Sequence, residues 1–344
     1  KYMNVIRVGN QTIGDDSLFF VVEEGNYNLG DFRKAINMVH LASECGASAI
    51  EFQFFVASDF YTSKNPGFEK YKAREFSTSQ INELIITAKS KNIELIACSL
   101  SPSLINELSE MGCSAFTING GDINNPEILD AVANTRKTIF LSLCLADEME
   151  IDWAINRLIN KNAKNIVLMH GQHIMASKRE AIPLEQTQLG CIKSLEEKYS
   201  LYVGFIDHTP YDWMPLCAVS AGAPVVTKHL TFSKKIKGPD WFICLDPMEM
   251  EKAIKMANKT FISYKTIEKT LIPGEEEDRL IMRRSIYASH NIKAGSVLTS
   301  LDIRFKRPYT GINANDYHLF VGKMLKKDIL IDEPIGISDI LDSN

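Results

Sequence analysis

Apolar and polar positions follow two rhythms along this chain. Short continuous apolar runs recur at Leu18–Val22, Ser48–Phe52, Ile93–Cys98, Ala115–Ile118, Thr138–Leu143, Asn165–Met169, Leu201–Ile206 and Ala223–Thr227. Each has the length of a strand buried on both faces. Between them the apolar spacing is helical, as in Asp31–Cys45, where Phe32, Ile36, Val39, Leu41 and Ala42 share a face and Gly46 ends it. The same spacing predicts helices over Ser77–Ser90, Pro102–Met111, Pro126–Asn134, Asp147–Asn160, Leu184–Lys198, Asp212–Gly222 and Pro247–Asn258. Buried strands alternating with helices over roughly 220 residues predict a (β/α)8 TIM barrel rather than an open doubly wound sheet.

Other stretches break the rhythm. Val5–Ile13, with Gly9-Asn10 at its centre, reads as a small capping hairpin, and Phe54–Phe76 as a long loop rich in aromatic and charged residues. After Pro273 the text turns to short strands, Ser285–Ala288, Ile303–Phe305 and Ile329–Ile331, punctuated by Gly295, Pro308, Gly311, Gly322 and Pro334. The expected organisation is a barrel domain with its hairpin over 1–260, a polar linker over 261–282 containing the solvated acidic run Glu275–Asp278, and a small mostly-β domain over 283–344.

Composition narrows the function. The 344 residues are 45% hydrophobic and 24% charged, as in ordinary soluble globular proteins, and the net charge of −5 with no basic tract argues against a nucleic-acid partner. Seven scattered cysteines without CxxC spacing read as reduced core thiols. With no charged-then-apolar leader and no apolar run of membrane-spanning length, the expectation is a cytoplasmic protein with no membrane partner.

The carboxyl ends of the expected strands are all polar: Glu23, Glu51, Ser99, Asn119, Ser142, His170, His208 and His229. Such barrels take their catalytic residues from several strand ends. His208 and His229, at successive strand ends, point to a divalent metal, with Glu23, Asp207 or Asp240 completing the shell. Either histidine alone would serve equally as a hydrogen-bonded rim residue. Lys228 alternates to the other face of its strand. Glu51, if buried, needs a metal, a cation or a raised pKa.

These residues fall into motifs that resemble the N-acetylneuraminate (sialic acid) synthase family, a (β/α)8 barrel followed by a small antifreeze-like SAF domain. The family's first-strand motif AEIGxNHxGD is read here as VEEGNYNLGD with Glu23 in the glutamate position, and GADAVKF as GASAIEF before Gln53. SDHT appears as Ile206-Asp207-His208-Thr209, EKH as Thr227-Lys228-His229, and GPDHxFSLDP begins at Gly238-Pro239-Asp240. The SAF domain is matched by Arg283-Arg284-Ser285 and by Lys306-Arg307-Pro308 leading to Gly311-Ile312.

The resemblance implies condensation of phosphoenolpyruvate with an N-acyl amino sugar, assisted by manganese or magnesium. It places metal ligation at His208 and His229, sugar contacts at Glu23 and Asp240, and contact with the acyl group at Arg307 across a domain-swapped homodimer. Glu51 and Asp122 are further catalytic candidates, and Ser142, Ser99, Asn119 and His170 substrate-binding ones. The phosphoenolpyruvate side departs from the pattern: the family's lysines are Glu51 and Thr117, its serines Gly120 and Ile206, and its YKIGSGE glutamate Asp122. Each charge-assisted contact contributes roughly 1.5 to 3 kcal/mol, so losing several should weaken a trianion by orders of magnitude unless Lys64, Lys70 or Lys72 substitutes. Two alternatives therefore stand beside the synthase reading: a metal-dependent aldolase, lyase or isomerase using no phosphoenolpyruvate, with Glu51 as a base or an extra metal ligand, and a catalytically inactive sugar-binding homologue.

Overall fold

In the computed structural model an antiparallel hairpin, β1 (Ile6–Val8) and β2 (Gln11–Ile13), precedes eight parallel strands. These are β3 (Phe19–Glu23), β4 (Ala49–Phe54), β5 (Glu94–Ser99), β6 (Ala115–Ile118), β7 (Thr138–Ser142), β8 (Ile166–His170), β9 (Val203–Asp207) and β10 (Val225–His229). They follow one another around a closed barrel in which β10 pairs with β3. The structure describes residues 3–25 and 27–341; residue 26, inside the first-strand motif, and the ends 1–2 and 342–344 of the expected domain spans lie outside the described residues.

Side chains alternate across the barrel wall with period two. One set, including Phe19, Val21, Ala49, Ile96, Ala115, Phe140, Val167 and Val225, fills the barrel together with Ile6, Val8 and Ile13 of the hairpin. The other, including Phe20, Val22, Ile50, Phe116, Leu168 and Phe205, packs against the surrounding helices. The hairpin closes the end where strands begin. There the Asn10 N–H donates to Glu94 at 2.8 Å, and the Thr138 hydroxyl donates to the Arg7 carbonyl at 3.3 Å. The opposite, carboxyl end is where barrels of this kind place their chemistry.

The expected helix starts hold where the sequence supplies them: Pro102, Pro126 and Pro247 are first helical residues, and Ser77, Asp147 and Asp246 close capping boxes. Several local readings are corrected. Leu184–Lys198 is a short turn, Leu184–Gln186, then a helix, Gly190–Tyr199, because Gln188 adopts a left-handed φ of 49° and breaks the run. The helix from Pro247 continues to Lys265. The long loop contains two short helices, Ala57–Phe60 and Phe68–Lys72, joined by packing of Phe55, Phe60, Tyr61 and Tyr71 with ring centroids 4.5–5.4 Å apart. The acidic run read as solvated linker opens a helix, Glu275–Met282, where carboxylates favour the positive end of the helix dipole.

The chain divides into units Lys1–Thr266 and Ile267–Asn344. The second pairs β11 (Ser285–Ala288) with β12 (Ile303–Lys306) over a core that includes Ile286, Leu298, Phe320 and Ile335. Ile329–Ile331 is not a strand; Ile329 makes only an isolated bridge to Ile292.

Candidate functional site

Parity decides which strand ends reach the carboxyl end of the barrel interior. Phe19 and Val21 face inward, so Glu23 does too, and the same count turns Glu51, Thr117, Asn119, Ser142, Ile206, His208 and His229 inward. These eight line one cavity of about 170 Å³, a few waters' worth of space, so every lining charge falls within reach of an occupant. Strand register adds a row within it: His229 lies opposite Glu23, and Glu23 opposite Glu51.

Glu23, His208 and His229 each offer a ligand atom, and these atoms lie within 4.8 Å of one another. His229 Nε2 is 3.3 Å from Glu23 Oε1. Gly25, with a φ of 58°, lets the chain pass this ring: a Cβ there would stand 2.7 Å from His229 Cδ2. His208 Nδ1 donates to the Gln172 carbonyl at 2.6 Å, which leaves its Nε2 lone pair available. Burial first, and the neighbouring His229 charge second, push the His208 pKa down to about 3. It is a neutral imidazole at any ordinary pH.

The Glu23–His229 pair behaves differently. Burial opposes both charged forms, but mutual attraction and their hydrogen bond outweigh it, holding Glu23 low and His229 high. The pairing thus favours the protonated imidazole and the ionised carboxylate over their neutral forms. Among the described residues, His229 Nδ1 is also buried without a hydrogen-bond partner. One carboxylate and two imidazoles, with ligand atoms within 4.8 Å of one another, fit a divalent ion that displaces the proton between Glu23 and His229.

Beside this group Glu51 is buried, and its Oε2 accepts the Thr117 hydroxyl at 2.6 Å. Burial, then the charge of Glu23, push its pKa well above the carboxylate range. Gly120 lies against Cys144 so closely that a Cβ would stand 2.4 Å from the Cys144 carbonyl oxygen. The serine that the resemblance implies at 120 has no room there. Asp240, at a left-handed φ of 49°, completes the lining, and its charge acts on His173 and His229.

Several sequence-derived candidates lie elsewhere. Ser99 and His170 have outward parity: the Ser99 hydroxyl donates to the Ser101 carbonyl at 2.9 Å, and His170 Nε2 lies 3.1 Å from the carbonyls of both Thr187 and Gln188. Asp207 is outward as well, so it completes no metal shell. It pairs with Lys228 at 3.0 Å, both fully buried, and Lys228 also donates to the Thr209 carbonyl at 2.5 Å. Asp122 accepts from Asn125 at 3.1 Å and does not line the cavity. Arg307 belongs to the second unit, where its Nε donates to the Met282 carbonyl at 2.6 Å. His173 was missed. It lines the cavity edge-on to His208, with ring centroids 5.6 Å apart. Its signal was the HxxH spacing from His170, the second histidine falling beyond the strand where the chain turns inward.

Comparison with known proteins agrees with this architecture. Residues 283–341 match the SAF domain. An uncharacterised protein of Methanocaldococcus jannaschii is 32% identical over 98% of this chain and 99% of its own length. The N,N'-diacetyllegionaminic acid synthase of Campylobacter jejuni is 30% identical over 92% of this chain and 98% of its own. The crystal structure of an N-acetylneuraminic acid synthetase from Leptospira borgpetersenii superposes with a TM-score of 0.73 at 26% identity, covering 80% of this chain and 95% of that one. Residues 38–269 match the NeuB family model, and with relatives this similar along almost the full length, the chain belongs to the NeuB family.

Proposed function

We propose that this chain is a synthase-type enzyme of nonulosonic acid or related surface-sugar biosynthesis, acting at the carbonyl of an N-acyl amino sugar. The observation that carries the reading is the convergence of Glu23, His208, His229 and Asp240 on one cavity. Glu23, His208 and His229 would hold the divalent cation. Two imidazoles and a carboxylate suit manganese better than magnesium, which favours an all-oxygen octahedron. When bound, the cation supplies Lewis-acid polarisation of a carbonyl oxygen.

The chain's own residues position the substrate. Asp240 accepts hydrogen bonds from sugar hydroxyls, Asn119 and Ser142 offer neutral hydrogen bonds to the reacting end, and His208 is kept in its ligating tautomer by Gln172. In this reading the active form is a homodimer and Arg307 contacts the acyl group of the sugar. The family-type reaction is tested with phosphoenolpyruvate, a panel of N-acyl hexosamines and manganese. The expected result is phosphate release with at least one sugar, lost on chelation; none across the panel would overturn the phosphoenolpyruvate step.

A second reading is favoured by the Glu51–Thr117 hydrogen bond, which occupies the positions where the resemblance implies two lysines. It keeps the sugar and the cation but works as an aldolase, lyase or isomerase without phosphoenolpyruvate. Glu51→Gln should then abolish turnover while cation binding persists.

A further inference from the structure

We infer that the buried Asp207–Lys228 pair, on the outer face of the barrel wall, positions the candidate cation group: it fixes His208 relative to His229 and through them sets the affinity for the divalent ion. The inference rests on the cation reading proposed above and extends it to two residues that do not line the cavity.

The two histidines leave the wall differently. His229 is the last residue of β10, in register with Glu23 of β3, and its carbonyl accepts the Leu245 N–H at 2.9 Å. His208 lies one residue beyond the end of β9, and among the described residues the last rung between β9 and β10 joins Asp207 to Lys228. Strand pairing stops just short of the ligand. Side chains continue it. Asp207 Oδ1 accepts the Thr209 N–H at 2.8 Å, closing a turn around His208. Lys228 Nζ, 3.0 Å from Asp207 Oδ2, donates to the Thr209 carbonyl at 2.5 Å. The residues on both sides of His208 are thereby tied to the residue before His229. On the far side the Gln172 carbonyl accepts from His208 Nδ1, and the Ile182 N–H donates to the His208 carbonyl at 2.9 Å. Held from both directions, the two imidazoles stand with ring centroids 5.4 Å apart.

Asp207, Lys228 and Thr209 are fully buried. Burying two charges gains little stability, because an apolar pair of similar volume packs as well without the desolvation penalty. Such a pair would fill the space, yet it would offer no acceptor to the Thr209 N–H and no donor to the Thr209 carbonyl. His208 would keep its contacts with Gln172 and Ile182 and lose its tie to β10. Groups that orient a metal ligand typically change metal affinity ten- to a hundredfold, so the effect belongs on the cation rather than on the fold.

The test compares three full-length chains by manganese titration calorimetry, with urea denaturation of the metal-free proteins alongside. The first variant, Asp207→Leu with Lys228→Met, removes both ties. It should denature close to the wild-type midpoint and bind manganese about ten- to a hundredfold more weakly. The second, Asp207→Asn with Lys228→Met, is equally uncharged but keeps an acceptor for the Thr209 N–H, and its manganese affinity should fall between the other two. A purely structural role would move the midpoints and leave manganese affinity alone. If the first variant does not fold, the second carries the comparison with the wild type. Either folded variant binding manganese within about threefold of the wild type overturns the inference, and so does a second variant that binds no more tightly than the first. A wild-type chain that takes no manganese overturns the cation reading and this inference with it. One that takes manganese as tightly as the first variant overturns this inference alone.

Discussion

Glu23 and Glu51 are the same residue type, opposite one another on adjacent strands and both buried, yet their protons are held in opposite directions. Burial raises both. Glu23 has the His229 imidazole 3.3 Å away and stays ionised, whereas Glu51 has a threonine hydroxyl and the Glu23 charge itself, and is driven toward its neutral form. The neighbour, not the depth, sets the charge state. A third buried carboxylate, Asp207 on the outer face of the wall, is matched by Lys228. The two carboxylates with a basic partner belong to the candidate cation group and to the structural wall; Glu51 has only a neutral partner, Thr117.

Removing a partner is the largest way to break this comparison. Lys228→Met leaves Asp207 buried and uncompensated and should cost about 3 to 5 kcal/mol in urea denaturation. Adding Asp207→Leu should recover much of the loss, since an apolar pair of similar volume carries no desolvation penalty.

Gly120→Ser probes the Glu51 half of the cavity. With a Cβ 2.4 Å from the Cys144 carbonyl oxygen, backbone must move, and the expected loss is about 1 to 3 kcal/mol in the same assay. No loss would mean that this loop still accommodates the serine the family motif supplies.

Glu51→Gln gives a subtler signal in the metal-free protein. The folded-state pKa lies above the ordinary 4.5, so above that pH the native chain retains a proton that the unfolded chain has released. Stability contributed by this group is therefore lost as pH rises from 4.5 through the folded pKa. The glutamine variant escapes that loss. Its advantage over the wild type should be absent well below the ordinary pKa and grow toward neutral pH, read from denaturation midpoints along a pH series.

The smallest effect belongs to the outward face. Ser99→Ala removes the hydroxyl's bond to the Ser101 carbonyl and the 3.4 Å bond it accepts from the Ser101 N–H, and should cost about 1 kcal/mol, with cation affinity unchanged.

The barrel was legible because its strands are apolar on both faces and its helices carry proline and capping signals, as at Pro126 and Asp246. The same continuity hid the parity. A run such as Leu18–Val22 has no polar alternation to say which residues face inward, so Ser99 and His170 were grouped with Glu23 and His229 although they point the other way. Once the wall is closed, counting by two from Phe19, Ile96, Val167 or Val225 separates them. His173 lies beyond its strand, where period-two counting no longer applies. The Glu51–Thr117 bond joins residues 66 apart, and no local pattern carries it.

Manganese titration calorimetry on three chains tests most directly which half of the cavity holds the cation. The account predicts one ion bound by the wild type, binding abolished in His208→Ala, and binding retained in Glu51→Gln. Retention in His208→Ala together with loss in Glu51→Gln would contradict it.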